Sequence, residues 1–107
     1  MTYQVKVAPT ARDALAKITD KRVQRNIVNR LSRLEKEPEK QGEPLSGNLE
    51  GYRSIRAADE RYRIIYRIED AEPENKELVV SVEFVGIRRE GSKSDVYVLF
   101  SKFVERL

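Results

Sequence analysis

The sequence has 107 residues, 39% of them hydrophobic and 36% charged, with a formal net charge of +3. This suits a single domain, residues 1–107, with a modest core under a polar surface, and it excludes a disordered chain. Cysteine and histidine are both absent, which removes disulfides, thiolate nucleophiles, zinc ribbons and histidine general bases.

The N-terminal stretch "MTYQVKVAPT" lacks the basic-then-apolar layout of a signal peptide, and no apolar run reaches the length of a membrane span. A cytoplasmic location is therefore expected. "TYQVKVA" alternates Tyr3, Val5 and Val7 against polar residues and predicts a first strand, ended by Pro9. Thr10 with Asp13 three residues on forms a capping-box arrangement, predicting a short helix from Thr10 through Ile18. Asp20 is placed to cap a second, longer helix with the stripe Val23, Ile27, Leu31 and Leu34, and Pro38 stops it. The two helices form a hairpin whose polar face is basic: from Thr10 to Glu37 eight Lys/Arg stand against four Asp/Glu.

"EKEPEKQGEPLSGNLEG" reads as a polar connector without regular structure. Three strands are expected next, in "YRSIRAA", "RYRIIYRIE" and "ELVVSVEFVGI". The first two are joined by the short turn "ADE", the last two by the longer polar loop "DAEPENK". The third strand is the most apolar, which suits a central position. After the loop "REGSKSD", Ser94 or Asp95 begins a last helix with Val96, Phe100, Phe103 and Leu107 along one side. The order β-α-α-β-β-β-α argues an α+β fold: a small antiparallel sheet, an N-terminal helical hairpin and a C-terminal helix. With the helices on one side, the other face of the sheet is left open to partners.

In the middle strand, Tyr62, Ile64, Tyr66 and Ile68 share one face, and Arg61, Arg63 and Arg67 share the other with Ile65. From Gly51 to Arg67 five arginines stand against Asp59 and Glu60, while acidic residues gather in "EDAEPENKE". Such segregation suits a polyanion-facing surface. The sequence has no Gly-rich phosphate loop and no Ser-His-Asp set, so arginine and tyrosine remain as candidates. Antiparallel pairing brings Arg56, Arg63 and Arg88 toward one another, with Tyr97 at the start of the final helix. Guanidinium groups fork onto phosphate oxygens in a bidentate way, so this cluster suits a phosphodiester. Taken singly, each of these arginines reads as a solvated strand-face residue. Three converging from separate segments weaken that reading, because their mutual repulsion needs an anion or carboxylate to offset it.

"GYRSIRAADERYRIIYRIED" followed by "VVSVEFVGIRREGSKSDVY" resembles the RelE/ParE superfamily of bacterial toxins from toxin–antitoxin systems. The lead-in "LSGNLEGYR" (Leu45 to Arg53), then "YRIIY" and "VGIR…VY", carry the likeness, which spans essentially the whole chain. RelE-like members cut mRNA on the translating ribosome, whereas ParE-like relatives poison DNA gyrase without nuclease activity. Arg56, Arg63, Arg88 and Tyr97 match the positions that surround the scissile phosphate in the nucleolytic branch. Arg53, Arg61 and Arg89 are assigned to the surrounding RNA-binding charge. This chain has arginine where some relatives have lysine on the first hairpin strand, lacks the histidine that others use, and has a longer loop before Tyr97.

The resemblance implies an endoribonuclease in which the RNA 2′-OH is the nucleophile and no metal or other cofactor is required. Arginines would stabilise the charge gained by the pentavalent transition state. Because arginine stays protonated at any working pH, Tyr97 is the better candidate to move protons. The helical face with Arg22, Arg25, Arg30 and Arg33 would dock on rRNA. The resemblance also implies a cognate antitoxin, acidic in its toxin-binding segment, whose complex with the toxin binds its own promoter through the antitoxin. A ParE-like gyrase inhibitor and a basic binding module without toxicity are the alternative readings.

Overall fold

The computed structural model describes residues 2–69 and 78–107. Five strands form one sheet in the order β1-β5-β4-β3-β2: β1 Gln4–Val7, β2 Glu43–Pro44, β3 Arg53–Ala57, β4 Tyr62–Glu69 and β5 Val79–Ile87. Strands β2 to β5 pair antiparallel, and β1 joins β5 in parallel at one edge. The helices are α1 Pro9–Ala16, α2 Lys21–Ser32 and α3 Val96–Glu105. The α+β class and the placing of the three helices are as expected; β2 is an additional strand and β1 is the one parallel member of the sheet. The loop "DAEPENK" and most of the acidic segment lie outside the described residues.

The alternation in β4 decides the layering. Ile64 and Tyr66, both fully buried, face α1 and α2 and pack with Ala11, Ile27, Leu31, Leu34, Ile55, Val80 and Val82. Ile65 points the other way, into a second cluster with Leu49, Val96 and Phe100. Phe100 packs edge-on against Tyr52 at 5.0 Å and stacks on Phe84 at 5.8 Å, so α3 is fastened to the second sheet face by aromatic contacts. The expectation of one wholly open face is thus corrected: α3 covers part of it. The remainder is the surface around Arg56 and Arg63.

A β-bulge lies between Ile65 and Tyr66. Ile65 pairs with Phe84 and Tyr66 with Val82, so Glu83 is the extra residue on β5. One residue out of step reverses the parity of β5, which sends Val82 and Val85 to the same core and Phe84 to the opposite one.

Several local expectations are revised. Thr10 does not cap α1; Pro9 opens the helix, following Ala8 without a side-chain cap. Proline's fixed φ suits the first helical turn, and its missing N–H would be unpaired there in any case. The same helix ends at Ala16, short of Ile18. Asp20 does cap α2, accepting from the backbone N–H groups of Arg22 at 2.9 Å and Val23 at 3.4 Å.

The connector is not structureless. It makes 3-10 turns at Pro38–Lys40 and Gly47–Leu49 and contributes β2, whose residues Glu43 and Pro44 pair with Ser54 and Arg53. A two-residue bridge has no alternation to read, and proline is tolerated because β2 is an edge strand. Gly42 is required just before it: φ is +61° and a Cβ would overlap the Ser54 carbonyl and an Ile55 methyl. Leu107, placed on the apolar side of the last helix by spacing, lies beyond its end and is 86% exposed.

Candidate functional site

Antiparallel register sets the first pair of arginines side by side: Arg56 on β3 is directly opposite Arg63 on β4. Their side chains share the sheet face of Ser54 and Ile65, away from the two-helix layer. Like charges directly opposite are destabilising unless offset. The offset here is slight. Glu60 approaches Arg56 at 3.7 Å with both side chains exposed, and a pair of this kind adds little.

Arg63 is held by the hairpin turn. Its Nη1 donates to the Glu60 carbonyl at 2.6 Å and to its own neighbour's, Tyr62, at 3.2 Å. The turn that presents these carbonyls is unusual, since Ala58, Asp59 and Glu60 all have positive φ, at 47°, 57° and 64°. Asn26 of α2 accepts from the Ala58 N–H at 2.9 Å and ties the turn to the helical layer. The guanidinium has five N–H donors, so several remain for an anion after these two bonds.

Arg88 enters from the end of β5. Its N–H donates to the Arg61 carbonyl at 2.7 Å, continuing the β4–β5 ladder by one step. Its guanidinium lies 5.0 Å from the ring centroid of Tyr97 and pairs with Asp95 at 2.7 Å. Tyr97 is in the first turn of α3, and its hydroxyl meets the Ser54 hydroxyl at 2.8 Å. The ring thus bridges α3 and β3 across the sheet.

Asp95 was missed by sequence reasoning except as a helix start. It is 2% exposed and caps α3 by accepting from the Tyr97 N–H at 3.1 Å. Its other oxygen accepts from the Arg89 N–H at 2.6 Å and from the Arg88 side chain. Burial pushes the carboxyl up, but the Arg88 hydrogen bond and the N–H groups of Arg89 and Tyr97 outweigh it and hold Asp95 below the usual carboxylate range. The Arg88 guanidinium is raised in turn, chiefly by its hydrogen bond to Asp95.

Arg56, Arg63, Arg88 and Tyr97 line one pocket of about 560 Å³. Arg30, Glu43 and Ser54 line it as well, so its walls carry four arginines and one carboxylate. That balance favours a multiply charged anion. Arg30 belongs here rather than with the exposed helical arginines. It is half-buried, donates to the Gln41 side chain at 2.9 Å, and its guanidinium is shifted downward by burial and by neighbouring Arg33.

The other arginines assigned to RNA binding lie elsewhere. Arg53 faces the helical layer, donating to the Gln41 carbonyl at 2.9 Å and approaching the Tyr66 hydroxyl at 3.4 Å. It braces the connector against the sheet and does not line the pocket. Arg89 is exposed and lines a separate groove with Lys17, Tyr62 and Leu99. Arg61 is exposed at the base of the hairpin turn, and Arg22, Arg25 and Arg33 are exposed on or just after α2. Among the described residues no helix is long and apolar enough to cross a membrane.

Residues 5–90 match the family described as "ParE toxin of type II toxin-antitoxin system, parDE". Among solved structures, the toxin–antitoxin complex RelBE2 from Mycobacterium tuberculosis contains a chain 30% identical to this one. The match covers 82% of this chain and 93% of that one, with a TM-score of 0.69. The free E. coli toxin RelE carrying two arginine-to-alanine substitutions has the same fold at 21% identity and a TM-score of 0.69, covering 100% of this chain and 99% of that one. The isolated E. coli RelE toxin also shares it, at 19% identity and a TM-score of 0.64, with 97% of each chain covered. No curated protein sequence matches the chain.

Proposed function

This chain belongs to the RelE/ParE superfamily of toxins from type II toxin–antitoxin systems, and from that premise we propose that it is a ribosome-dependent mRNA endonuclease. The observation that carries the reading is the convergence of Arg56, Arg63 and Arg88 with Tyr97 on one open pocket. A phosphodiester placed there meets guanidinium groups from β3, from β4 and from the exit of β5. The RNA 2′-OH gives up its proton as its oxygen attacks the adjacent phosphorus, and charge accumulates on the equatorial oxygens. The bond to the 5′-oxygen of the next nucleotide breaks, that oxygen leaving with a proton. Arg63 and Arg88 stabilise the equatorial charge with donors already held in place by the hairpin-turn carbonyls and by Asp95, and the exposed Arg56 adds a third guanidinium. Tyr97 is the proton-moving group, and the Ser54 hydroxyl, 2.8 Å from its oxygen, orients it. The surface is shallow and exposed at Arg56. A translating ribosome would supply the missing walls and align the messenger.

The exposed arginines Arg22, Arg25 and Arg33 serve docking on rRNA. A cognate antitoxin partner follows from the family and from the likeness to a chain of the RelBE2 complex. An acidic antitoxin segment over the arginine pocket would neutralise the toxin.

The test is induced expression of Arg63→Ala and Arg88→Ala variants, with circular dichroism to verify folding. Growth arrest should disappear in both. If both variants remain as toxic as the parent, the site is misassigned. A second reading, gyrase inhibition by binding alone, is favoured by the ParE description of the matched family. It predicts DNA breaks with intact mRNA.

A further inference from the structure

We infer that Asp95 is a positioning residue of this site, the carboxylate that ties Arg88 to the first turn of α3 and so to Tyr97; this rests on the endonuclease reading above. Arg88 and Tyr97 belong to different elements, the exit of β5 and the first turn of α3, and residues 89–94 between them form a largely exposed loop with Gly91 at φ +82°. The bonds within that loop are local: Ser92 N–H to the Arg89 carbonyl at 2.9 Å, Asp95 N–H to the Ser92 carbonyl at 3.2 Å, Ser94 to the Ser92 hydroxyl, and a loose ion pair of the exposed Glu90 with Arg88 at 3.8 Å. What spans the gap is the Asp95 carboxylate. One oxygen takes the Arg89 N–H and the Arg88 guanidinium, at 2.6 and 2.7 Å; the other takes the Tyr97 N–H at 3.1 Å.

A helix cap needs one acceptor, which serine or asparagine supplies as well as aspartate. Here the second oxygen is committed wholly to the strand side, in a site where the carboxylate is 2% exposed. Burying a charge this far is costly unless it is paired and hydrogen-bonded. All three donors are needed to hold it, and together they fix the Arg88 guanidinium under the Tyr97 ring, 5.0 Å from its centroid. Asp95 therefore acts on Tyr97 twice, through its backbone N–H and through Arg88. It lines no part of the pocket and reaches RNA only through these two residues.

Asp95→Asn separates the two halves of this tie. The amide has one oxygen, so it retains either the α3 cap or the Arg88 contact, and meets a donor with a donor at the other. The assay uses the full chain with mRNA-programmed ribosomes under single-turnover conditions. Asp95→Asn should lower kcat by about 100-fold, the scale of an ångström-level misplacement, with KM for programmed ribosomes nearly unchanged. In an Arg88→Ala background the same substitution should add little, because the two residues act as one unit. A fall in kcat no larger than the loss of folded protein, or effects of the two substitutions that multiply in full, would overturn the inference. If the parent protein cleaves no mRNA, the functional reading fails, and NMR of the Arg88 guanidinium decides the positioning role alone. Hindered guanidinium rotation in the parent that is released by Asp95→Asn supports it, and identical rotation in both rejects it.

Discussion

Arg53 and Arg56 lie three residues apart on the same strand, yet one braces the connector and the other lines the pocket. An odd number of steps along a strand changes the face, so the separation follows from the pleat. The sequence carried that signal, because Arg53 is in step with Ile55 and Ala57, both buried. Reading arginines as a set obscured it. Arg88 and Arg89 divide in the same way, one into the pocket and the other into a neighbouring groove. Asp95 was legible only as a cap, since a buried partner for Arg88 has no local pattern. At this scale the hairpin turn supports a prediction. Glu60 holds a left-handed conformation, φ 64°, which costs a non-glycine residue about 1 kcal/mol. Glu60→Gly should therefore raise stability by about 0.5–1 kcal/mol, seen as a higher urea midpoint, since its ion pair with Arg56 is exposed and weak. Tyr97→Phe deletes the hydroxyl that meets Ser54. It should leave the fold intact and reduce single-turnover cleavage by about 100-fold or more; an unchanged rate would remove Tyr97 from proton transfer.

The long elements were readable because their periodicity spans many residues. The Val23–Ile27–Leu31 stripe of α2, the Asp20 cap and the alternation of β4 appear as expected. However, α2 ends at Ser32, well before Pro38, and Leu34 reaches the core from the 3-10 turn Arg33–Glu35 that follows. The two-residue β2, the proline-opened α1 and the bulge at Glu83 are set by single residues or by tertiary pairing, and periodicity does not report them. The placement of α3 depends on one such detail. Gly86 is opposite Arg63, and a Cβ there would meet Val96 Cγ2 at 2.9 Å and Val96 Cβ at 3.1 Å. Gly86→Ala should push the first turn of α3 off the sheet, costing about 1–3 kcal/mol and displacing Tyr97; thermal denaturation and the cleavage rate should both register it. The α3 cap also predicts an acid response. Asp95 is held below its unfolded value of ~3.9, so its contribution is complete above that pH and is lost as pH falls through the lower folded-state value. Relative to Asp95→Asn, the parent should lose stability more steeply below about pH 4 in urea titrations at graded pH.

On the whole molecule, charge is sorted by face rather than by net excess, which is only +3. The pocket side gathers four arginines, and α2 with the turn after it exposes Arg22, Arg25 and Arg33. If the latter contact rRNA phosphates, replacing all three with glutamine should weaken ribosome association and flatten its salt dependence by about two units of log–log slope. The fold should be unaffected, because all three are exposed. Unchanged salt dependence would place ribosome docking on another surface. The most direct test of the central claim is primer extension on cellular mRNA after induced expression, with and without a block to translation. Discrete cleavage ends should appear only on translated messages and vanish with Arg63→Ala. Intact messages accompanied by gyrase-linked DNA breaks would contradict it.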